Sequence, residues 1–384
     1  MGLHALLSAS GSKMWLACTP SAVLGSKMPD STSVYAEEGT LAHELGELLL
    51  RKHLGEITTR KYNAEFKKIV AHAMYSEEIL VNATNYSNYV IERWNALLAT
   101  CGDAMLAVET RLDFSDYVPE GFGTGDATII ADGTMEVIDY KNGKGVPVYA
   151  EWNSQMMLYA LGALKAFGDL YKIDKVMMTV YQPRIDNVSS WEITVDELKD
   201  WAEKELRPKA QLAFKGEGEF VSGEHCRFCK VKATCRARAE KNLELAKMEF
   251  KKADLLSDDE ITEVLLLAKE LKSWVDDVWD QAFAEELKGK EWPGFKLVEG
   301  RSNRKYGNEE AVAVKLSDCG YPEDVCFEKK LKGITAMEKA LTKPVFNELL
   351  GDLIVKPEGR PTLVEASDKR EPINSAKADF CVEV

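Results

Sequence analysis

Residues 125–141 constrain this chain more than any other stretch. They read Gly125-Asp126-Ala127-Thr128-Ile129-Ile130-Ala131, then Asp132-Gly133, then Thr134-Met135-Glu136-Val137-Ile138-Asp139-Tyr140-Lys141. Two strand-like runs joined by Asp-Gly predict a hairpin, which returns Asp139 and Lys141 beside Asp126. Side chains alternate faces along a strand, so Asp139 and Lys141 project the same way. Two carboxylates so placed can hold a hard divalent cation while an ammonium contacts an attacking water or a scissile phosphate. A surface hairpin with its charges in water is the plain alternative, and this segment alone does not separate the two.

Four further features bear on the choice. His43, in Gly39-Thr40-Leu41-Ala42-His43-Glu44, opens a stretch with leucines at 45, 48, 49 and 50 that reads as a helix; a neutral imidazole there suits a metal. Gln155 and Tyr159 lie four apart in a second helical pattern and share one face. Cys226-Arg227-Phe228-Cys229 is followed by Cys235, and Cys18 lies near the N-terminus in Trp15-Leu16-Ala17-Cys18-Thr19-Pro20.

The order Cys, G-T-x-x-H, G-D, D-x-K, Q-x-x-x-Y, C-x-x-C-x-x-x-x-x-C resembles the RecB-like branch of the PD-(D/E)xK nucleases over roughly residues 10–240. More narrowly it is similar to the iron–sulfur members, such as AddB and the CRISPR-associated adaptation nucleases, and to RecB-like proteins of phages and prophages. The resemblance implies an α/β, restriction-endonuclease-like core with a mixed sheet flanked by helices. It implies a Mg²⁺- or Mn²⁺-dependent deoxyribonuclease, most simply an exonuclease at DNA ends in phage or bacterial recombination or replication. DNA is then the partner, with recombination or replication proteins as further ones. His43, Asp126, Asp139 and, by the resemblance, the backbone carbonyl of Tyr140 are the metal ligands. Lys141 orients or deprotonates water or balances phosphate charge, and Gln155 and Tyr159 position Lys141 and the DNA backbone. Glu109, on the preceding strand, is a candidate further carboxylate. Asp139 stands where many relatives have Glu, a difference only of reach.

The cysteine spacing fits a [4Fe–4S] cluster on Cys18, Cys226, Cys229 and Cys235. Structural Zn²⁺ is the alternative, although zinc sites more often use two nearby pairs. The other four of eight cysteines (Cys101, Cys319, Cys326 and Cys381) are scattered and read as reduced thiols. Two readings from other classes remain: a non-cleaving iron–sulfur DNA-binding scaffold, and a redox or zinc protein whose hairpin carboxylates are incidental. The complete His43, Asp126, Asp139, Lys141 set weighs against the first and the order of the motifs against the second.

A net charge of −14 excludes a protein that wraps nucleic acid by bulk electrostatics, but not one with a local basic path. Arg51, Lys52, Arg60, Lys61, Lys67 and Lys68 form one candidate path. Arg227, Lys230, Lys232, Arg236, Arg238 and Lys241 form the better one. No apolar run approaches the ~20 residues that span a bilayer, and the first residues lack the features of a secretory signal, so a cytoplasmic location is expected.

The expected organisation is a nuclease domain over 1–242, a helical connector over 243–290 and a small C-terminal α+β domain over 291–384. Within the first, residues before 105 read as helical, with a loop at 19–35 and a long helix at 74–100. Strands follow at 106–112, 125–131 and 135–141, then the Gln155 helix, a strand at 175–181 and a helix at 196–214. Residues 250–290 read as an acidic helical hairpin, 292–301 as a strand, and 309–316 and 334–341 as helices. A polar tail follows from 356.

Overall fold

A computed structural model of the protein describes residues 5–29, 34–244, 257–298, 308–319, 322, 327, 332–341, 343–350 and 353–354. The chain divides into two compact units, Met1–Ala284 and Glu285–Val384.

The first unit opens with helices α1 (Ser12–Ala17), α2 (Ser21–Ser26), α3 (Val34–His53), α4 (Thr59–Val70) and α5 (Glu77–Leu98). Thr58 and Ser76 start α4 and α5 by accepting the first free amides of each helix. The short α2 lies inside the stretch expected to be a loop, while α4 falls in the region read as helical without having been given bounds of its own.

Strands β1 (Met105–Asp113), β2 (Phe122–Ala131) and β3 (Gly133–Tyr140) follow, then helix α6 (Ser154–Phe167), β4 (Ile173–Gln182) and β5 (Asn187–Thr194). They form one five-stranded sheet in the order β1-β2-β3-β4-β5. The Asp132-Gly133 turn is present, with Gly133 at φ +88, a conformation that only glycine takes without strain. The β3–β4 pair is parallel because α6 carries the chain across, and the other three pairs are antiparallel. The fold is thus a mixed α/β sheet flanked by helices. β5 is the strand that pattern reading missed: two of its four less exposed positions are the polar Asn187 and Ser189, so the apolar alternation is weak.

Hydrophobic clusters cover both faces of the sheet. On one, Leu41, Leu45, Ile79, Ala83 and Tyr86 from α3 and α5 meet Val108, Ile129, Ile138 and Tyr140. On the other, Met157, Leu158 and Leu161 of α6 meet Leu112, Met135, Val137 and Met178. α6 approaches β1 so closely that a Cβ on Gly162 would lie 2.8 Å from Leu112 Cβ and 3.0 Å from its carbonyl carbon.

Helix α7 (Val195–Trp201) carries a Thr194–Glu197 capping box and runs through a π-helical turn, Ala202–Leu206, into α8 (Arg207–Lys215). The widened turn accommodates Pro208, which has no amide to donate. The cysteine segment and α9 (Arg236–Leu243) follow. α10 (Asp258–Glu286) is one continuous helix where a hairpin was expected, since no Gly or Pro interrupts residues 258–286. Arg238 of α9, fully buried, binds Glu270 at 2.8 Å and Asp277 at 2.6 Å on α10.

In the second unit the described regular elements are helices α11 (Glu309–Asp318), α12 (Ile334–Leu341) and α13 (Lys343–Leu350). The expected α+β character is absent among the described residues. No strand forms over 291–298, because a turn with Gly294 at φ +89 breaks the run; 299–301 and the tail from 356 lie outside the described residues.

Gly162→Ala should lower stability by about 1–3 kcal/mol, as overpacking does. A denaturation midpoint unchanged from wild type would show that α6 does not sit on β1 this tightly.

Candidate metal centre

The hairpin, α3 and α6 converge at one end of the sheet. Asp126 on β2 is buried, and His43 Nδ1 of α3 lies 3.1 Å from its Oδ1. The Tyr140 amide donates to Asp126 Oδ2 at 2.6 Å. The Tyr140 amide thereby fixes the Asp126 carboxylate, a contact separate from the carbonyl that the resemblance offered as a metal ligand.

Glu109 joins them by breaking the β1 ladder. Val108 pairs with Ala127 and Thr110 with Gly125, while Glu109, opposite Asp126, stands at φ +45. Such a conformation costs about 1–3 kcal/mol and persists only where its surroundings enforce it. Among the described residues, His43, Glu109 and Asp126 are the one group of His, Cys, Asp or Glu donors whose ligand atoms all lie within 4.8 Å of one another. One imidazole and two carboxylates suit Mn²⁺ or Mg²⁺.

Asp139 lies beside this group. Its Oδ2 is 2.9 Å from Lys141 Nζ, and its Oδ1 accepts from Gln155 Nε2 at 3.1 Å. Gln155 Oε1 accepts from Lys141 at 3.3 Å, and Gln155 Nε2 also reaches the Tyr159 hydroxyl at 3.2 Å. The predicted face-sharing pair on α6 thus clamps the Asp139–Lys141 pair. A Cβ at Gly123 would lie 2.8 Å from the Tyr159 ring, so glycine there makes room for it.

The electrostatics match this crowding. Burial alone would lower the His43 pKa, but the charge and hydrogen bond of Asp126, with help from Asp139, push it up to about 9. Burial, then Asp126, raises Glu109 to about 8. Asp126 stays below the usual carboxylate range despite its burial, through His43, Lys141 and the Tyr140 amide. Asp139 is raised by burial, against Lys141 and with Asp126. With Glu109 and both aspartates ionised the site would carry more negative charge than His43 and Lys141 neutralise, which is the condition a bound cation relieves.

Sequence reasoning missed Tyr86. Its buried ring stacks on Tyr140, with centroids 4.6 Å apart, and its phenol is raised by burial and by Asp126, Glu109 and Asp139. It sits on an ordinary amphipathic helix, so nothing local marks it. Arg184 was also missed. Its guanidinium binds Glu38 on α3, Glu78 on α5 and the carbonyl of Asn142, the residue after Lys141.

The cysteines gather elsewhere on this unit. Cys18, Cys226 and Cys229 are buried, Cys235 partly so, and all four are free thiols. His225 Nε2 lies 2.8 Å from Val221 O, and the neighbouring thiols of Cys18 and Cys226 raise its pKa to about 10. Burial, then the charges of Cys226, Cys235 and Cys18, raise Cys229. The Thr19 hydroxyl donates to Glu217 O at 2.6 Å and ties the N-terminal segment to this region. Two members of the basic path expected here are engaged by α10: Arg238 by Glu270 and Asp277, and Lys232 by Asp277 at 2.6 Å. In the other basic stretch, Arg51 is held by Glu47 and Glu56 at 2.7 Å each.

A family model matches residues 4–371, nearly the whole chain, and its description is "Protein of unknown function (DUF2800)". The chain belongs to the DUF2800 family. A solved structure described as "Crystal structure of SSO0001" is 16% identical to this DUF2800 chain, covering 50% of it and 94% of its own length, with a TM-score of 0.24, too slight a likeness to define a shared fold. Among the described residues of the DUF2800 chain, no helix is long and apolar enough to cross a membrane.

Removing divalent cations should make this site the weak point at high pH. His43 is raised from 6.5 to about 9, so its stabilising charge is fully present below 6.5 and lost as pH rises through 9. Glu109 is raised from 4.5 to about 8, so the folded state prefers the proton and loses stability as pH climbs between those values. Both signs agree: chelated protein should melt at steadily lower temperature from about pH 6 to about pH 9. A melting temperature that rises over this interval would contradict the charge assignment.

Proposed function

We propose that this protein is a divalent-cation-dependent deoxyribonuclease of the RecB-like PD-(D/E)xK type that acts at DNA ends in phage or bacterial recombination or replication. One observation carries the reading: a His43–Glu109–Asp126 donor group lies directly beside a Gln155-clamped Asp139–Lys141 pair. An incidental surface hairpin has no reason to bury Asp126 and Asp139 or to strain Glu109 toward them.

His43, Glu109 and Asp126 would hold Mg²⁺ or Mn²⁺, with Asp139 alongside. The cation would supply an activated water and stabilise charge on the phosphoryl oxygens. Lys141 is the one ammonium at the Asp126–Asp139 site among the described residues, and its pKa is raised by Asp139 and Asp126 against its burial. It therefore stays charged and can stabilise the phosphate or orient the attacking water through its free protons. Gln155 fixes Asp139 and Lys141 relative to each other, and Tyr159 holds Gln155. The Tyr140 amide keeps Asp126 ionised and aimed.

The cysteine region supports a second cofactor in the same protein. The sequence spacing C-x-x-C-x-x-x-x-x-C with a distant Cys18 fits a [4Fe–4S] cluster with one thiolate on each of four irons, and structural zinc is the alternative. The cluster would join the Cys18 segment to the end of the sheet domain.

The test incubates anaerobically and aerobically purified protein with linear and circular DNA in Mn²⁺, Mg²⁺ or EDTA. Cutting of linear DNA that EDTA abolishes is expected. Asp126→Ala should abolish cutting, and Lys141→Ala should slow it by orders of magnitude while leaving metal affinity largely in place. Wild-type cutting by Asp126→Ala would overturn the assignment. Separately, anaerobic protein should be brown, with broad absorption near ~400 nm that Cys229→Ser bleaches and Cys319→Ser leaves alone. Colourless protein with one stoichiometric zinc would replace the cluster with structural zinc.

A further inference from the structure

The loop between β3 and α6 ends at an aromatic residue in an unfavourable backbone conformation. Trp152 stands at φ +50 and is 63% exposed. A bulky side chain in the left-handed region is an outlier, and such strain persists where something other than stability selects it. The loop is held from both sides. The Ala150 amide donates to Ser189 Oγ at 3.0 Å, and Asn187 Nδ2 donates to Val148 O at 2.9 Å. Asn153, the next residue, caps α6 by accepting the amides of Gln155 and Met156.

The ring has a fixed support. Trp152 lies against Trp191 of β5, with centroids 4.8 Å apart and planes inclined at 48°. Trp191 is itself packed on the hydrophobic core. One indole is therefore anchored and the other is raised on it into solvent, a flat π surface that needs no rearrangement to receive another ring.

Its position along the chain gives it a use. Gln155 is three positions after Trp152, and three steps of chain reach at most about 11 Å. The platform residue thus lies within about 11 Å, backbone to backbone, of the residue that clamps Asp139 and Lys141, just before the positive end of the α6 dipole. A strand whose phosphate lies at that site would have a neighbouring base within reach of the indole.

We propose that Trp152, backed by Trp191, stacks an unpaired base of a single-stranded DNA end next to the Asp126–Asp139–Lys141 site. The inference rests on the nuclease reading and adds the strandedness of the substrate there. Paired bases in a duplex are already stacked on their neighbours and present edges rather than faces to a side chain. A π platform is therefore open to a frayed or single-stranded end of any sequence.

The test uses the full chain in EDTA, where it does not cut, and follows the anisotropy of labelled oligothymidylate and of a labelled blunt duplex. Wild type should bind the single strand more tightly than the duplex. Trp152→Gly should lose about tenfold in single-strand affinity with duplex affinity unchanged, and Trp152→Phe should keep most of it. Glycine adopts the left-handed conformation without strain, so Trp152→Gly should melt no lower than wild type, which separates lost stacking from lost folding. Equal single-strand affinity for wild type and Trp152→Gly would overturn the proposal, as would an equal loss for duplex. DNA cutting by wild type in Mn²⁺ is read apart from this. Trp152-dependent binding without cutting would keep the platform and refute the nuclease, while cutting with Trp152-independent binding would refute the platform alone.

Discussion

The crowding of three carboxylates, two buried and one half-buried, at one end of a β-sheet is the constraint on which the rest of the site depends. Asp126, Asp139 and Glu109 repel one another in a medium that screens them poorly, and each neighbour answers that problem. His43 meets Asp126, Lys141 meets Asp139, and the Tyr140 amide points at Asp126 Oδ2. At Glu109 burial and the charge of Asp126 outweigh the opposing charges of His43 and Arg51, and its pKa climbs to about 8. A cation held there would remove the remaining imbalance.

The fold supplies this arrangement through register and close approach. Antiparallel pairing sets Glu109 across from Asp126, and the Asp132-Gly133 hairpin returns Asp139 and Lys141 to the same end. α3 delivers His43 from one face of the sheet and α6 delivers Gln155 from the other, the latter pressed close by the missing side chain of Gly162. Arg184 ties α3, α5 and the segment after Lys141 together, so the groups reaching the site from separate elements share one bracket.

Much of this was legible in the sequence because it is local. A hairpin with its turn dipeptide, an alternation that puts Asp139 and Lys141 on one face, and Gln155 four residues before Tyr159 are all written in spacings of a few residues. The structure brings these together as the spacings implied. What could not be read is non-local or conformational. The entry of Glu109 depends on a φ of +45 in the middle of a strand that otherwise reads as regular. Tyr86 and Arg184 act through contacts many residues distant. β5 was hidden by serines and an asparagine, and the continuity of α10 by an expectation of a turn that its sequence does not contain. The basic run at Arg238 looked free because its acidic partners, Glu270 and Asp277, lie 32 and 39 residues away.

The account stands on a divalent cation among His43, Glu109 and Asp126. Anomalous scattering from crystals soaked in Mn²⁺ tests that most directly. The expected result is a manganese peak within bonding distance of all three side chains, absent in crystals of Glu109→Gln or Asp126→Ala grown the same way. A peak that leaves Asp126 unliganded, or no peak at this end of the sheet in ordered crystals at saturating Mn²⁺, would contradict it.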